Sequence, residues 1–473
     1  MKKSLLIILC SLFTLHGSLA QNERMQWFKD AKLGIFIHWG IYAVNGIDES
    51  WSFYNEYLPY EEYMKQLDGF GAENYDPQAW AGLIRESGAR YAVLTSKHHD
   101  GVALWDTDAG DLSVVKRTPA GKDLIAPFCN ALWAEGLKVG LYYSLLDWSH
   151  PDYPNFTRNR KRYEKDSIPS RWDNFDRFNR AQITEITTRY NPDLVWFDGD
   201  WEQSAEVWKA AEIREMLLNN NTNVIINSRL QGYGDYATPE QGIPVSRPKD
   251  EYWELCMTMN DSWGFQPNDT NYKPVNLIIR IFADVIGMGG NLLLDIGPMA
   301  DGTIPEDQVA ILKELGRWTS KHSEAIYGTL AGLPKDCYYG SSTLSADSTV
   351  LYLFIPSNSK SQVSNSKSQV PNSKQNPNLK SENPIENPQI LKSPNPQISQ
   401  SSYSPAILLK GITNKINSIR VVGNGTKLEQ TTWLKPWWSS NPGLIGITIP
   451  AEAMDPDMTV IAVEFEGKLK VKF

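Results

Sequence analysis

The stretch DLVWFDGDWE, Asp193 to Glu202, sets four carboxylates around an apolar run with the length and composition of one buried strand. An unpaired carboxylate in the middle of a parallel strand covered on both faces costs several kcal/mol of desolvation, so the charges belong at its ends. Asn191 and Pro192 lead in; Asp193 therefore starts the strand, and Asp198 stands where the apolar run stops at Gly199. Alternation places Leu194, Trp196 and Asp198 on one face, Val195 and Phe197 on the other. One face thus ends in a tryptophan followed by a carboxylate.

Similar runs recur on both sides of it: LGIFIHWG (33–40), YAVLTSKHH (91–99), LKVGLYYSLL (137–146), NVIINSR (223–229) and NLLLDIGP (291–298). Between them DPQAWAGLIRESG, GKDLIAPFCNALWAEG, FDRFNRAQITEITTRY, AEVWKAAEIREMLLNN and PVNLIIRIFADVIGMG carry apolar residues at helical spacing. Such alternation predicts an α/β fold, a parallel sheet with helices outside. No glycine-rich nucleotide fingerprint follows the first strand, and His38, His98, His99, Tyr142, Asp198 and Arg229 all fall at strand C-terminal ends. A (β/α)8-like barrel places its active site there. Only six strands stand out, which leaves room for an irregular or incomplete barrel.

The N-terminus, MKKSLLIILCSLFTLHGSLA, has two lysines, an apolar run and small residues before residue 21, the pattern of a cleaved signal peptide over 1–20. No later run of about 18 apolar residues suggests a membrane span. The expected location is the periplasm or the medium. Loss of Lys2 and Lys3 would take the net charge from −9 to −11, which argues against nucleic-acid partners. Cys129, Cys256 and Cys337 lack CxxC spacing and suggest neither a disulfide framework nor a structural zinc site.

The barrel reading covers 21–330. From 331 to 473 the pattern changes to short strands, TVLYLFIP, AILLKGI, INSIRVVG, IGITIP and TVIAVEFEG, which predict a small C-terminal β-sandwich. Ser357 to Pro405 interrupts it with Ser, Asn, Gln, Lys and Pro, opening on a repeat of SNSKSQV, and contains nothing that could build a core.

A carboxylate at a barrel strand end, with further acids on later segments, suits glycoside hydrolysis, which needs a nucleophile or base and a proton donor. Three of the six histidines sit at the same barrel end, in FIHWG and SKHHDG, where they could bond several sugar hydroxyls. On six ordered blocks the chain resembles the α-L-fucosidases of glycoside hydrolase family 29: WFKDAKLGIFIHWG, SKHHDGVALW, GLYYSLLDW, PDLVWFDGDWE, KDEYWELCMTMNDSWGF and GGNLLLDIGPMADGTIP.

The resemblance implies an exo-acting, retaining hydrolysis of terminal α-L-fucose from glycans, with Asp198 as nucleophile and a covalent fucosyl-enzyme. It also implies that His38, His98, His99 and Tyr142 hold the sugar hydroxyls, and that Trp51, Trp196, Arg229 and Trp263 complete the site. Neither a metal nor another cofactor is expected, and the expected partners are fucosylated oligosaccharides or glycoconjugates. The sequence says nothing of oligomeric state. Some relatives carry a glutamate directly before the loop tryptophan; here Ser50 holds that position and Glu49 precedes it. His98 and His99 are adjacent, so both reach one site only if the strand has ended or bulged there.

The proton donor lies between two residues, with Glu251 a weaker third. Glu240, in YATPEQG, is read on a loop after the Arg229 strand and is preferred; Glu254, in YWELC, is flanked by Trp253 and Leu255 on what reads as a strand. Two other readings compete. A metal-dependent barrel hydrolase could use the histidines and Asp198, but IHWG offers one histidine where a metal-binding first strand is expected to offer two. A non-catalytic fucose-binding protein would lack one of the carboxylates, and candidates for both are present.

Overall fold

In the computed structural model, which describes residues 23–357 and 407–472, seven parallel strands form one sheet. They are β1 (Leu33–Ile37), β2 (Tyr91–Lys97), β3 (Lys138–Ser144), β4 (Leu194–Asp198), β5 (Ile225–Ile226), β6 (Glu254–Thr258) and β7 (Asn291–Ile296). Their order is β5-β4-β3-β2-β1-β7-β6. The expected leader over 1–20, and all of the expected insertion except Ser357, lie outside the described residues.

The segment read as a loop, Tyr236 to Glu240, closes the gap between β5 and β6. It runs parallel to both through the bridges Asn227 to Tyr236, Ala237 to Trp253 and Glu240 to Cys256. Eight parallel segments therefore make a complete barrel, the last held by isolated bridges rather than a continuous ladder. The ladder fails beside it because β5 is only two residues long. Beyond Ile226 the Asn227 side chain takes over, accepting from Phe197 N at 2.8 Å and donating to Phe197 O at 2.8 Å. With no helix between β5 and this segment, the chain turns back tightly. At Gly234 a side chain would meet Asn227 O at 2.0 Å, so only glycine fits.

Helices α1 (Pro77–Glu86), α2 (Ile125–Ala134), α3 (Pro169–Arg189), α4 (Ala210–Asn220), α5 (Val275–Gly287) and α6 (Glu306–Lys321) surround the sheet. The first shows why these segments are helical: Asp76 caps it by accepting from Gln78 N and Ala79 N, Pro77 opens the first turn, and Trp80, Ala81 and Ile84 share the buried face. Helical residues 23–31 plug the N-terminal end of the barrel with Met25, Phe28 and Ala31. Above them Tyr91, Trp196, Tyr236 and Phe36 fill the interior. The barrel is thus packed from its floor upward and open only at the C-terminal end.

The C-terminal strands form two sheets. One contains β8 (Leu330–Ala331), β9 (Ser342–Leu344), β10 (Val350–Pro356), β12 (Ile416–Val421) and β15 (Met458–Phe465). The other contains β11 (Ile407–Lys410), β13 (Gln430–Trp433) and β14 (Leu444–Ile447). Alternation along β10 serves two cores: Leu351, Leu353 and Ile355 belong to the sandwich, whereas Tyr352 and Phe354 join the barrel's outer core with Trp318. Trp318 Nε1 also donates to Met458 O at 2.8 Å. Arg317 and Lys321 on α6 converge on buried Asp455.

Candidate active site

A cavity of about 130 Å3 opens at the C-terminal end of the barrel. Of the four carboxylates in DLVWFDGDWE, only Asp198 lines it. Asp193 ties the strand entry to its neighbour, accepting from Lys138 Nζ at 2.6 Å and Val139 N at 3.0 Å. Asp200 accepts from Gln231 N at 2.7 Å. Glu202 pins the loop after β3 through Trp148 Nε1, Tyr153 OH and Asn155 Nδ2. Gly199, at φ 77°, makes the turn that separates Asp198 from these structural acids, and a side chain there would strike Leu146.

Asp198 is held on both oxygens. Arg229 Nη1 donates to Oδ1 at 2.9 Å and Tyr142 OH donates to Oδ2 at 3.0 Å, with His99 Nε2 3.7 Å from Oδ2. The same guanidinium donates through Nη2 to Glu240 Oε2 at 2.5 Å. One arginine therefore joins two carboxylates across the cavity. Its plane lies over the Trp196 ring, 4.6 Å from the centroid, which fixes its tilt. Asp198 is largely enclosed, whereas the Glu240 side chain is 40% exposed at the mouth.

The three histidines are anchored alike. Nδ1 of His38 lies 2.6 Å from Asp295 Oδ1, that of His98 2.6 Å from Ser50 Oγ, and that of His99 2.6 Å from Ser144 Oγ. Each ring keeps Nε2 for the cavity it lines. Burial holds all three well below the usual histidine range, followed by the neighbouring His98 for His38 and His99 for His98. They are neutral rings at neutral pH, suited to bonding hydroxyls. The adjacent pair reaches one cavity because β2 shifts register between Thr95 and Lys97 and ends before His98.

Trp51, Trp196 and Trp263 also line the cavity, as the sequence suggests. Trp263 packs on His38, with ring centroids 5.0 Å apart. Glu254 does not line it. Its carboxyl lies beneath, accepting from Tyr91 OH at 2.5 Å and Trp196 Nε1 at 3.0 Å, fully buried. Burial pushes it up to about 7. It supports Trp196 from below.

Three lining residues were not singled out from sequence as site candidates, Phe36, Trp201 and Cys256, and a fourth, Glu49, stood out only as a carboxylate one position away from where some relatives carry it. Glu49 is buried, accepts from Gly264 N at 2.5 Å and is pushed by burial up to about 7. Its neighbour Ser50 holds His98, so the shift of the glutamate by one position gives the two residues separate tasks. Trp201 is 49% exposed at the mouth, stacked at 14° on Trp51. Its place directly after the Asp198-Gly199-Asp200 turn was the available signal. Cys256, buried below Arg229, is unpaired, as are Cys129 and Cys337. Among the described residues no three His, Cys, Asp or Glu side chains converge as metal ligands, and no helix is long and apolar enough to cross a membrane.

Residues 14–324 match the family model for Alpha-L-fucosidase. A curated α-L-fucosidase from Dictyostelium discoideum is 33% identical over 334 residues, 64% of this chain and 71% of that one. The structure of α-L-fucosidase isoenzyme 1 from Paenibacillus thiaminolyticus superposes with a TM-score of 0.77 at 30% identity, covering 94% of this chain and 100% of the other. A Thermotoga maritima α-fucosidase in complex with fucose gives a TM-score of 0.68 at 26% identity, covering 93% and 96%.

Proposed function

The chain belongs to the α-L-fucosidase family and is a glycoside hydrolase of that class; on that premise we propose that it removes terminal α-L-fucose with retention, using Asp198 as nucleophile and Glu240 as acid/base. The observation that carries this reading is the single guanidinium of Arg229 bonded to both carboxylates. It holds the two carboxyl groups close enough to share one planar guanidinium, which supports the short separation that a retaining enzyme uses.

The cavity accommodates one sugar ring, so the bond to be cleaved lies at the mouth beside Glu240. Arg229 and Tyr142 hold Asp198 aimed while its oxygen attacks the anomeric carbon, and Glu240 delivers a proton to the departing oxygen. In the resting site Glu240 is paired to Arg229. A bound sugar that takes over that donor frees the carboxyl to face the glycosidic oxygen. Water then enters on the same face, Glu240 takes its proton, and the fucosyl ester is hydrolysed. His38, His98 and His99 hold ring hydroxyls through Nε2, while Trp263 packs on the sugar's apolar side.

Glu254 is a poorer donor because Tyr91 and Trp196 already occupy its carboxyl beneath the cavity floor. On the leader pattern of residues 1–20 we also propose export to the periplasm or the medium. The mechanism is tested by following hydrolysis of 4-nitrophenyl α-L-fucoside by NMR at early times. α-L-Fucose should appear first and mutarotate to β; initial release of the β anomer would overturn retention, and absence of hydrolysis would overturn the substrate.

A further inference from the structure

The hairpin from β13 to β14, WLKPWWSSNPGL over 433–444, is the other aromatic surface of this protein. Of the five tryptophans exposed among the described residues, three are here: Trp433 at 43%, Trp437 at 91% and Trp438 at 74%. Trp433 is a fixed platform, because Gly446 on the adjacent strand has no side chain and the indole lies across it: an added Cβ would meet the ring at 2.1 Å. Trp437 and Trp438 stand edge to face, with centroids 5.6 Å apart.

Beside the hairpin runs a cleft of about 520 Å3, whose charged lining among the described residues is Lys410 and Lys472. Lys435 extends the cationic character along the hairpin itself. Lys415 and Arg420, in the other sheet, are paired to Glu466 and Glu324, so the local positive charge rests on Lys410, Lys435 and Lys472, in a chain whose net charge is −9. Exposed indole faces fit pyranose rings, and local positive charge on an acidic protein fits an anionic ligand. Lysine ammoniums are point donors without the planar fork that arginine offers a carboxylate, so a sulfate ester is the better match. The chain's own segment 358–406 carries five lysines and two glutamates, so its charge does not complement these lysines.

We propose that this hairpin and cleft form a second carbohydrate site, which holds a sulfated polysaccharide while the barrel works on fucosyl ends. The choice of a glycan over a lipid surface rests on the fucosidase reading; the charge and exposure of the site do not.

The test is affinity electrophoresis of the full chain in gels containing dextran sulfate, polygalacturonate or unmodified dextran, with each preparation also assayed on 4-nitrophenyl α-L-fucoside. Dextran sulfate should retard the protein, whereas neutral dextran should not. The pairs Trp437→Ala with Trp438→Ala, and Lys435→Gln with Lys472→Gln, should each weaken retardation about tenfold with hydrolysis unchanged. Equal retardation by neutral dextran, stronger retardation by polygalacturonate, or a tryptophan pair that binds like wild type would overturn the proposal. So would binding to phosphatidylglycerol vesicles without retardation by dextran sulfate. Loss of hydrolysis in every preparation, with retardation intact, would count against the barrel reading alone.

Discussion

Asp198 and Glu240 share one arginine but have separable signatures. Asp198→Gly should lower turnover by about 10³-fold or more, and azide should partly restore it by attacking from the vacated space to give β-fucosyl azide. Asp200→Gly should show no such rescue, because its carboxylate faces Gln231 rather than the cavity. Glu240→Ala should slow fucosides with poor leaving groups far more than 4-nitrophenyl fucoside, whose leaving group barely needs a proton, and should remove the basic limb of the pH profile. The same pattern in Glu254→Gln instead would move the role beneath the cavity floor. Trp201 lies at the mouth, where a second sugar must rest; Trp201→Ala should cut kcat/KM for a fucosylated disaccharide several-fold and leave methyl fucoside nearly unchanged. Residues at strand ends were legible because strand geometry itself aims them into the barrel mouth. Glu49 and Trp201 sit on turns, whose direction is set by contacts such as Gly264 N to Glu49 and Trp201 on Trp51, and these join residues far apart in sequence or on different loops.

At the scale of elements, the strands that departed from the pattern did so next to the chemistry. β2 slips register just before two histidines, and β5 stops after two residues where the Asn227 side chain replaces the backbone ladder. Neither substitution of side chain for backbone nor a bulge leaves a periodic trace, so the sequence suggested a longer strand over 223–229 and a loop over 236–240. β6 reads as a strand but did not stand out among the barrel strands for another reason: it opens with a buried glutamate. That residue makes a stability prediction. Burial raises Glu254 and Glu49 to about 7 from an ordinary 4.5, so the folded chain holds protons that the unfolded chain has released. Their contribution is fully present below about pH 4.5 and is lost as pH rises through 7. The three histidines act oppositely: depressed by burial, they oppose folding once pH falls below their ordinary 6.5. Thermal midpoints should therefore peak in weakly acidic to neutral buffer. Glu254→Gln, which can accept from Trp196 Nε1 and donate to Tyr91 OH, should flatten the alkaline decline by about 3 kcal/mol in denaturant titrations. An unchanged alkaline limb would show that Glu254 is ionised in the fold.

For the molecule as a whole, barrel and sandwich share a core through Phe354 and Trp318 and a clamp at Asp455. Although burial alone would raise Asp455, Lys321 and Arg317 hold it down at about 2. Being depressed, it stabilises the clamp above its ordinary 3.8 and releases it as pH falls toward 2. Asp455→Asn should lower the unfolding free energy by about 2 kcal/mol once the exposure of its cationic partners is allowed for, and heating should still give one transition because the apolar contact remains. Two separated transitions would show that the charges alone join the units. Deleting Lys360 to Ser402 should leave turnover on aryl fucoside and the midpoint nearly unchanged, since loop length enters stability only logarithmically; a collapse in either would mean that the segment packs on the barrel. The closure of the barrel has a consequence of its own. Of its eight staves, the one bearing Glu240 is held by isolated bridges at Asn227, Ala237 and Cys256, while Asp198 ends a strand paired with β3 along its whole length. Deuterium should therefore replace the amide protons of Ala237 and Gln241 well before those of Val195 and Phe197. A lineage can lengthen, shorten or rebuild that stave without disturbing Asp198, so in such a scaffold a proton donor carried there would be freer to change place during evolution than a nucleophile carried on β4.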